Sequence, residues 1–212
     1  FGVMADTQWI GADDGLNPNS VSVGIIKQLN RQFINKGVKF VIQTGDLSDS
    51  GSTTAMQTTA IFRQDLYDAG IGFYPLRGNH ESKQQGAIVF IANFPQTQDA
   101  CKNNLTPSTA YSVANADTQQ PNPIQSGSPF CVGVISASPS FTTTGYAGLN
   151  YALDYENARF VFLDQFTLSD GTAHSLINQD QINWMNGQLS GRPANTHAFV
   201  YAHKALISQN HT

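Results

Sequence analysis

The chain has 212 residues, a formal net charge of −4, and only 12% charged side chains against 40% hydrophobic ones. A chain of this length can form one large α/β domain that buries most of its own surface, and its 13 Phe and 7 Tyr argue against extended disorder. The 11 Lys and Arg occur singly from Lys27 to Lys204 and no run approaches the ~18 apolar residues of a membrane span, which leaves neither a nucleic-acid footprint nor a bilayer segment.

Phe1 to Ala5 reads as a short buried strand that stops at Asp6-Thr7-Gln8, followed by a turn-rich stretch from Gly11 to Asn19. Ser20 is placed to cap a helix running through Phe33, because Val21, Ile25, Ile26 and Leu29 recur on one helical face and Gly37 follows as a stop. Val38 to Ile42 is the next strand and ends at Gln43-Thr44-Gly45-Asp46. Helical spacing returns from about Thr54 to Ala69 through Ile61, Phe62, Leu66 and Tyr67. Ile71 to Leu76 makes a third strand and runs into Arg77-Gly78-Asn79-His80-Glu81. Strand, loop and helix in this rhythm predict β-α-β units and a largely parallel sheet.

The rhythm breaks after Ala92. From about residue 93 to 148 turn chemistry dominates, punctuated by prolines, and the expectation is an insertion or elaborated loop within one domain spanning residues 1–212. Cys101 and Cys131, the only cysteines, bracket part of it and are expected to form a disulfide. On the chain-entropy account a loop of about 30 residues closed in this way gains roughly 3–4 kcal/mol. Phe94, Tyr111, Phe130 and Phe141 of this region are candidates for stacking on a leaving group. Strands resume at Tyr151–Tyr155 and Phe160–Leu163, turning across Glu156-Asn157-Ala158. A helix from about Gln179 to Leu189 buries Ile182, Met185 and Leu189, and the strand from Ala198 to Ala202 leads into His203.

Apolar strands therefore stop at Asp6 and Gln8, at Asp46, at Asn79 and His80, and at His203. The carboxyl ends of strands in an open α/β sheet form the crevice where ligands bind, so these distant positions converge. Carboxylates, amide oxygens and imidazoles gathered in one crevice are a donor set for divalent cations, and two cations about 3.5–4 Å apart need a shared anion. Asp46 is the natural bridge. The chain has no Gly-rich dinucleotide fingerprint, Walker loop or Gly-x-Ser-x-Gly elbow.

With Asp6-Thr7-Gln8, Gly45-Asp46-Leu47-Ser48-Asp49, Gly78-Asn79-His80-Glu81 and His203 in place, the chain resembles the calcineurin-like metallophosphoesterases, whose pattern is Asp-x-His, Gly-Asp-x-x-Asp, Gly-Asn-His with Asp or Glu, a later His, and Gly-His-x-His. The resemblance implies a mixed, largely parallel α/β fold of four layers, α/β/β/α. It also implies two divalent metal ions, Mn, Fe, Zn or Mg, with Asp6 on the first, Asp46 between them, and Asn79 and His203 on the second. A water activated between the cations would attack phosphorus in line. His80 would assist the leaving group, and Asp49 is the candidate to orient it, with capping of the next helix as its other reading. Glu81 is a second orienting candidate. Arg77 has two readings, a phosphate contact or an ion pair with an acid.

Two departures qualify the resemblance. Gln8 stands where the family has a histidine, and an amide oxygen there makes a weaker, more oxygen-preferring first site. The closing Gly-His-x-His is missing, which gives the expectation of a chain that stops before the last strands. Loss of activity is the alternative, and His174 or His211 are substitutes with little support. The partner expected is a small phosphorylated substrate. A non-catalytic binding protein with a degenerate site is the competing reading. Low charge and the cysteine pair suggest a secreted or periplasmic location.

Overall fold

The computed structural model describes residues 1–10, 16–98, 134–137, 148–169 and 172–205. Three strands, β1 (Gly2–Met4), β2 (Phe40–Gln43) and β3 (Gly72–Pro75), pair in parallel in that order. Four helices belong to this half: α1 (Val23–Asn35), α2 (Thr53–Phe62), α3 (Gln64–Asp68) and α4 (Gln84–Asn93). The second sheet contains β4 (Val134–Ala137), β5 (Tyr151–Tyr155), β6 (Ala158–Phe162) and, as its last neighbour, β9 (His197–Tyr201). In it β5 is antiparallel to both β4 and β6, whereas β9 is parallel to β6. The hairpin β7 (Phe166–Ser169) with β8 (Thr172–Ser175), then α5 (Gln179–Ser190), connect β6 to β9.

Side-chain alternation along the strands sorts the core into layers. Met4, Val41 and Phe73 face the helices and pack with Met56, Leu66, Phe90 and Phe94. On the opposite face of the same sheet, Phe40, Ile42 and Tyr74 pack against Tyr151, Leu153, Phe160 and Phe162 of the second sheet. Phe40 and Phe160 meet edge to face with centroids 5.2 Å apart. The outer face of the second sheet, through Ala152 and Val161, is covered by Trp184, Met185 and Leu189 of α5. The order is helices, sheet, sheet, helix, the four-layer mixed α/β sandwich that the family resemblance implies.

Local departures have local causes. Helix α1 begins three residues after Ser20, with Ser22 in the capping position and no side-chain cap bond. The single helix expected over 54–69 is two, because the Phe62 carbonyl is taken by the Asn30 side chain and Leu66 N donates to the Arg63 carbonyl. Ser52, not Asp49, caps α2 by accepting from Ala55 N. Within the stretch read as turns, residues 134–137 form the edge strand β4. Phe94 is fully buried in the helix-side core, which removes it from any role in gripping a leaving group. Cys101, Cys131, Tyr111, Phe130, Phe141 and His211 lie outside the described residues, as does the side chain of His174 in β8.

Candidate metal centre

Asp6, Gln8, Asp46, Asp49, Asn79, His80 and His203 all come from loops that follow β1, β2, β3 or β9. Parallel pairing of the first three strands brings their carboxyl ends side by side. Two backbone bonds hold the first two loops together: Thr44 N donates to the Met4 carbonyl at 2.9 Å and Asp6 N to the Gly45 carbonyl at 3.2 Å. Asp6 and Asp46 both adopt left-handed backbone, with φ of 53° and 49°. That conformation is unfavourable for a non-glycine residue and is characteristic of sites where geometry has been bought with strain.

Asp46 is the hub. Its Oδ1 accepts from the His80 backbone N at 3.1 Å and lies 3.5 Å from His203 Nε2. Its Oδ2 accepts from Gln8 Nε2 at 3.3 Å and lies 3.8 Å from His80 Nε2. Ligand atoms of Asp6, Asp46 and His203 lie within 4.8 Å of one another. Glycine is required beside them: a Cβ on Gly78 would strike the Asp46 carboxylate and backbone N, and one on Gly45 would come within 2.5 Å of His203 Nδ1.

His203 Nδ1 faces the Thr44 carbonyl at 2.8 Å. A proton on Nδ1 satisfies that carbonyl, so in the neutral imidazole Nε2 is the lone-pair atom. In that tautomer Nε2 faces Asn79 Oδ1 at 3.1 Å and Asp46 Oδ1 at 3.5 Å, so three acceptor atoms converge, with the His80 backbone N–H as a donor to Asp46 Oδ1. Such a convergence calls for a cation. Gln8 Oε1 is also buried with no hydrogen-bond partner among the described residues. These donors suit divalent metal: Asp6, Asp46 and His203 bring ligand atoms within reach of one another, with Gln8 beside Asp46 and Asn79 beside His203.

His80 stands beside this cluster, about a third exposed, and its Nδ1 is held by the Asp49 carbonyl at 2.6 Å and the Asp49 carboxylate at 3.2 Å. Partial burial pushes its pKa down, but the Asp49 carbonyl and the charges of Asp46, Asp49 and Glu81 outweigh it, and the net shift is upward. Glu81 does not orient His80. Fully buried, it accepts from Ser48 N at 3.0 Å and Gly78 N at 2.9 Å, lacing the second loop to the third. Burial raises its pKa more than these bonds lower it. Of the two readings of Arg77, the ion pair is the one the structure displays: it is buried, reaches Asp164 at 2.6 Å, and donates to the Glu81 and Phe166 carbonyls. Asp164 and Phe166 had no sequence signal beyond following an apolar strand.

The family model for calcineurin-like phosphoesterases matches residues 1–206. Among solved structures, a dimetal phosphatase from Danio rerio is similar at a TM-score of 0.51 and 14% identity, covering 98% of this chain and 70% of that one. At that identity the likeness is one of fold. No curated protein matches the chain by sequence.

Proposed function

The chain belongs to the calcineurin-like phosphoesterase family, and on that premise we propose that it hydrolyses the phosphate ester of a small substrate with two divalent cations, Mn, Fe, Zn or Mg, as cofactors. The observation that carries the reading is the convergence of Asn79 Oδ1 and Asp46 Oδ1 on His203 Nε2, at 3.1 and 3.5 Å. When bound, the cations would neutralise charge on the phosphoryl oxygens and supply a water made acidic enough to attack phosphorus near neutral pH.

The protein's own groups do the rest. Asp46 offers one oxygen to each side of the site, and its left-handed backbone aims the carboxylate across the crevice. Thr44 holds the His203 ring by Nδ1, which keeps Nε2 directed at the centre. Asp49 holds His80 in the same manner, leaving Nε2 3.8 Å from Asp46 Oδ2. As an imidazolium, His80 gives its Nε2 proton to the leaving oxygen as the ester P–O bond breaks. Asp49 thus acts on the substrate only through His80. The oxygen ligand at Gln8 biases the first position toward oxygen-preferring metals. Residence outside the cytosol belongs to the same proposal, supported by the low charge and the pair Cys101 and Cys131.

The test is hydrolysis of 4-nitrophenyl phosphate and its bis-ester by chelator-stripped protein resupplied with each of Mn, Fe, Zn and Mg. Turnover returns with metal, the ester pair separates monoester from diester preference, and His80→Ala loses about 10²–10⁴-fold in kcat while keeping its metal. An inert wild-type protein across all four metals would refute hydrolysis and favour the non-catalytic binding reading.

A further inference from the structure

Arg63, at the junction of α2 and α3, is completely buried. Among the described residues no carboxylate pairs with it, and its Nε and Nη1 have no hydrogen-bond partner. Its guanidinium carbon lies 4.6 Å from the centre of the Phe73 ring, and Nη2 donates to Gln43 Oε1 at 2.5 Å and reaches Thr7 Oγ1 at 3.5 Å. A cation in such surroundings is costly, and burial draws its pKa down to about 9. Replacing it with an apolar side chain of like length would remove that cost, so its stabilising value to the fold is poor.

Its bonds have a definite direction. With Gln43 Oε1 accepting from Arg63, the amide's donor Nε2 is left for Thr7 Oγ1, to which it donates at 2.7 Å. The Thr7 hydroxyl, already accepting, directs its own proton to the Leu47 carbonyl at 3.3 Å. Thr7 sits between Asp6 and Gln8, and Leu47 follows Asp46. The bond from Thr7 to Leu47 therefore ties the loop carrying two candidate ligands to the loop carrying the shared one, from the side away from the crevice. Gln43 and Thr7 are buried like Arg63, so bulk solvent does not reach this order.

We propose that Arg63 is a positioning residue for the metal centre: through Gln43 and Thr7 it sets the spacing between Asp6 and Gln8 on one loop and Asp46 on the next. The inference rests on the metal-dependent reading above. Groups that orient ligands from behind typically change metal affinity 10–100-fold when removed.

Calorimetric titration of chelator-stripped protein with Mn²⁺, alongside the thermal midpoint of the metal-free form, tests it. Arg63→Met is expected to bind Mn²⁺ at least 10-fold more weakly at a midpoint equal to or above wild type. Thr7→Val, which deletes the hydroxyl with little change of shape, should weaken Mn²⁺ to a similar degree, and Thr7→Ser should restore it. Wild-type affinity in Thr7→Val, or an Arg63→Met protein that melts lower yet binds Mn²⁺ normally, would overturn the proposal. If Arg63→Met loses both midpoint and affinity, the Thr7→Val and Thr7→Ser pair decides. A wild-type protein that takes up no Mn²⁺ would instead sink the functional reading itself, and this inference with it.

Discussion

Asp46 carries more of the site than any other residue: both its oxygens are engaged, its backbone is left-handed, and Gly78 makes room for it. Gly78→Ala tests that space directly. Its Cβ would meet the Asp46 carboxylate and backbone rather than a flexible side-chain tip, so Asp46 must shift. Mn²⁺ affinity should fall 10-fold or more in a titration, and an unchanged affinity would show that Asp46 is not held against Gly78. At this scale the sequence was most readable where an apolar run ends abruptly on a polar group, as at Asp46, Asn79 and His203. Residues that support the site from inside the core were not. Arg77 precedes the Gly-Asn-His piece and could have faced phosphate or acid; only its pairing with Asp164 decides. Arg63 stands four residues after Thr59 and four before Tyr67, on the buried helical face, a position where a lone Arg is itself a signal.

Helices and strands were legible in proportion to their periodicity. The three parallel strands are short but apolar on both faces, as a doubly covered sheet requires, and the sequence shows it. Strand β4 is Val-Ile-Ser-Ala among prolines and serines, and it forms by pairing with β5 rather than through a pattern of its own. The break between α2 and α3 depends on Asn30, a residue of another helix, reaching the Phe62 carbonyl, which no local pattern reveals. Caps are more local. Asn178 and Gln181 make a reciprocal capping box at the start of α5, on the outer face of the second sheet. Asn178→Ala should cost about 1 kcal/mol in thermal or denaturant unfolding and leave kcat unaltered, because α5 contributes no side chain to the crevice. A loss of turnover without loss of stability would place α5 in the chemistry, contrary to this description.

Across the whole molecule, the crevice is a seam between two sheets. Three of its loops follow strands of the first sheet, while His203 follows β9 of the second. The Arg77–Asp164 pair spans the same seam with both side chains buried, Arg77 following β3 and Asp164 following β6. Removing one partner leaves a buried uncompensated charge, so Asp164→Ala should lower unfolding free energy by about 3–5 kcal/mol. A loss below about 1 kcal/mol would mean that water or another group replaces the carboxylate. Because the donors come from separate elements, metal binds the folded chain alone and should raise its stability, by about 2.7 kcal/mol at a free concentration 100-fold above Kd. The four-layer order was legible only through the family resemblance carried by the motifs, since strand rhythm by itself indicates β-α-β units and a largely parallel sheet. The closing of the seam was not, since it depends on side chains more than eighty residues apart, as Arg77 and Asp164 are.

The central claim is that Asp46 is shared by two divalent cations. Native mass spectrometry of chelator-stripped protein reloaded with Mn²⁺ measures this directly, beside Asp46→Asn. Two ions are expected on the wild-type chain, with both lost at the same concentration in the variant. No ion on the wild-type chain, or two retained by Asp46→Asn, would contradict it.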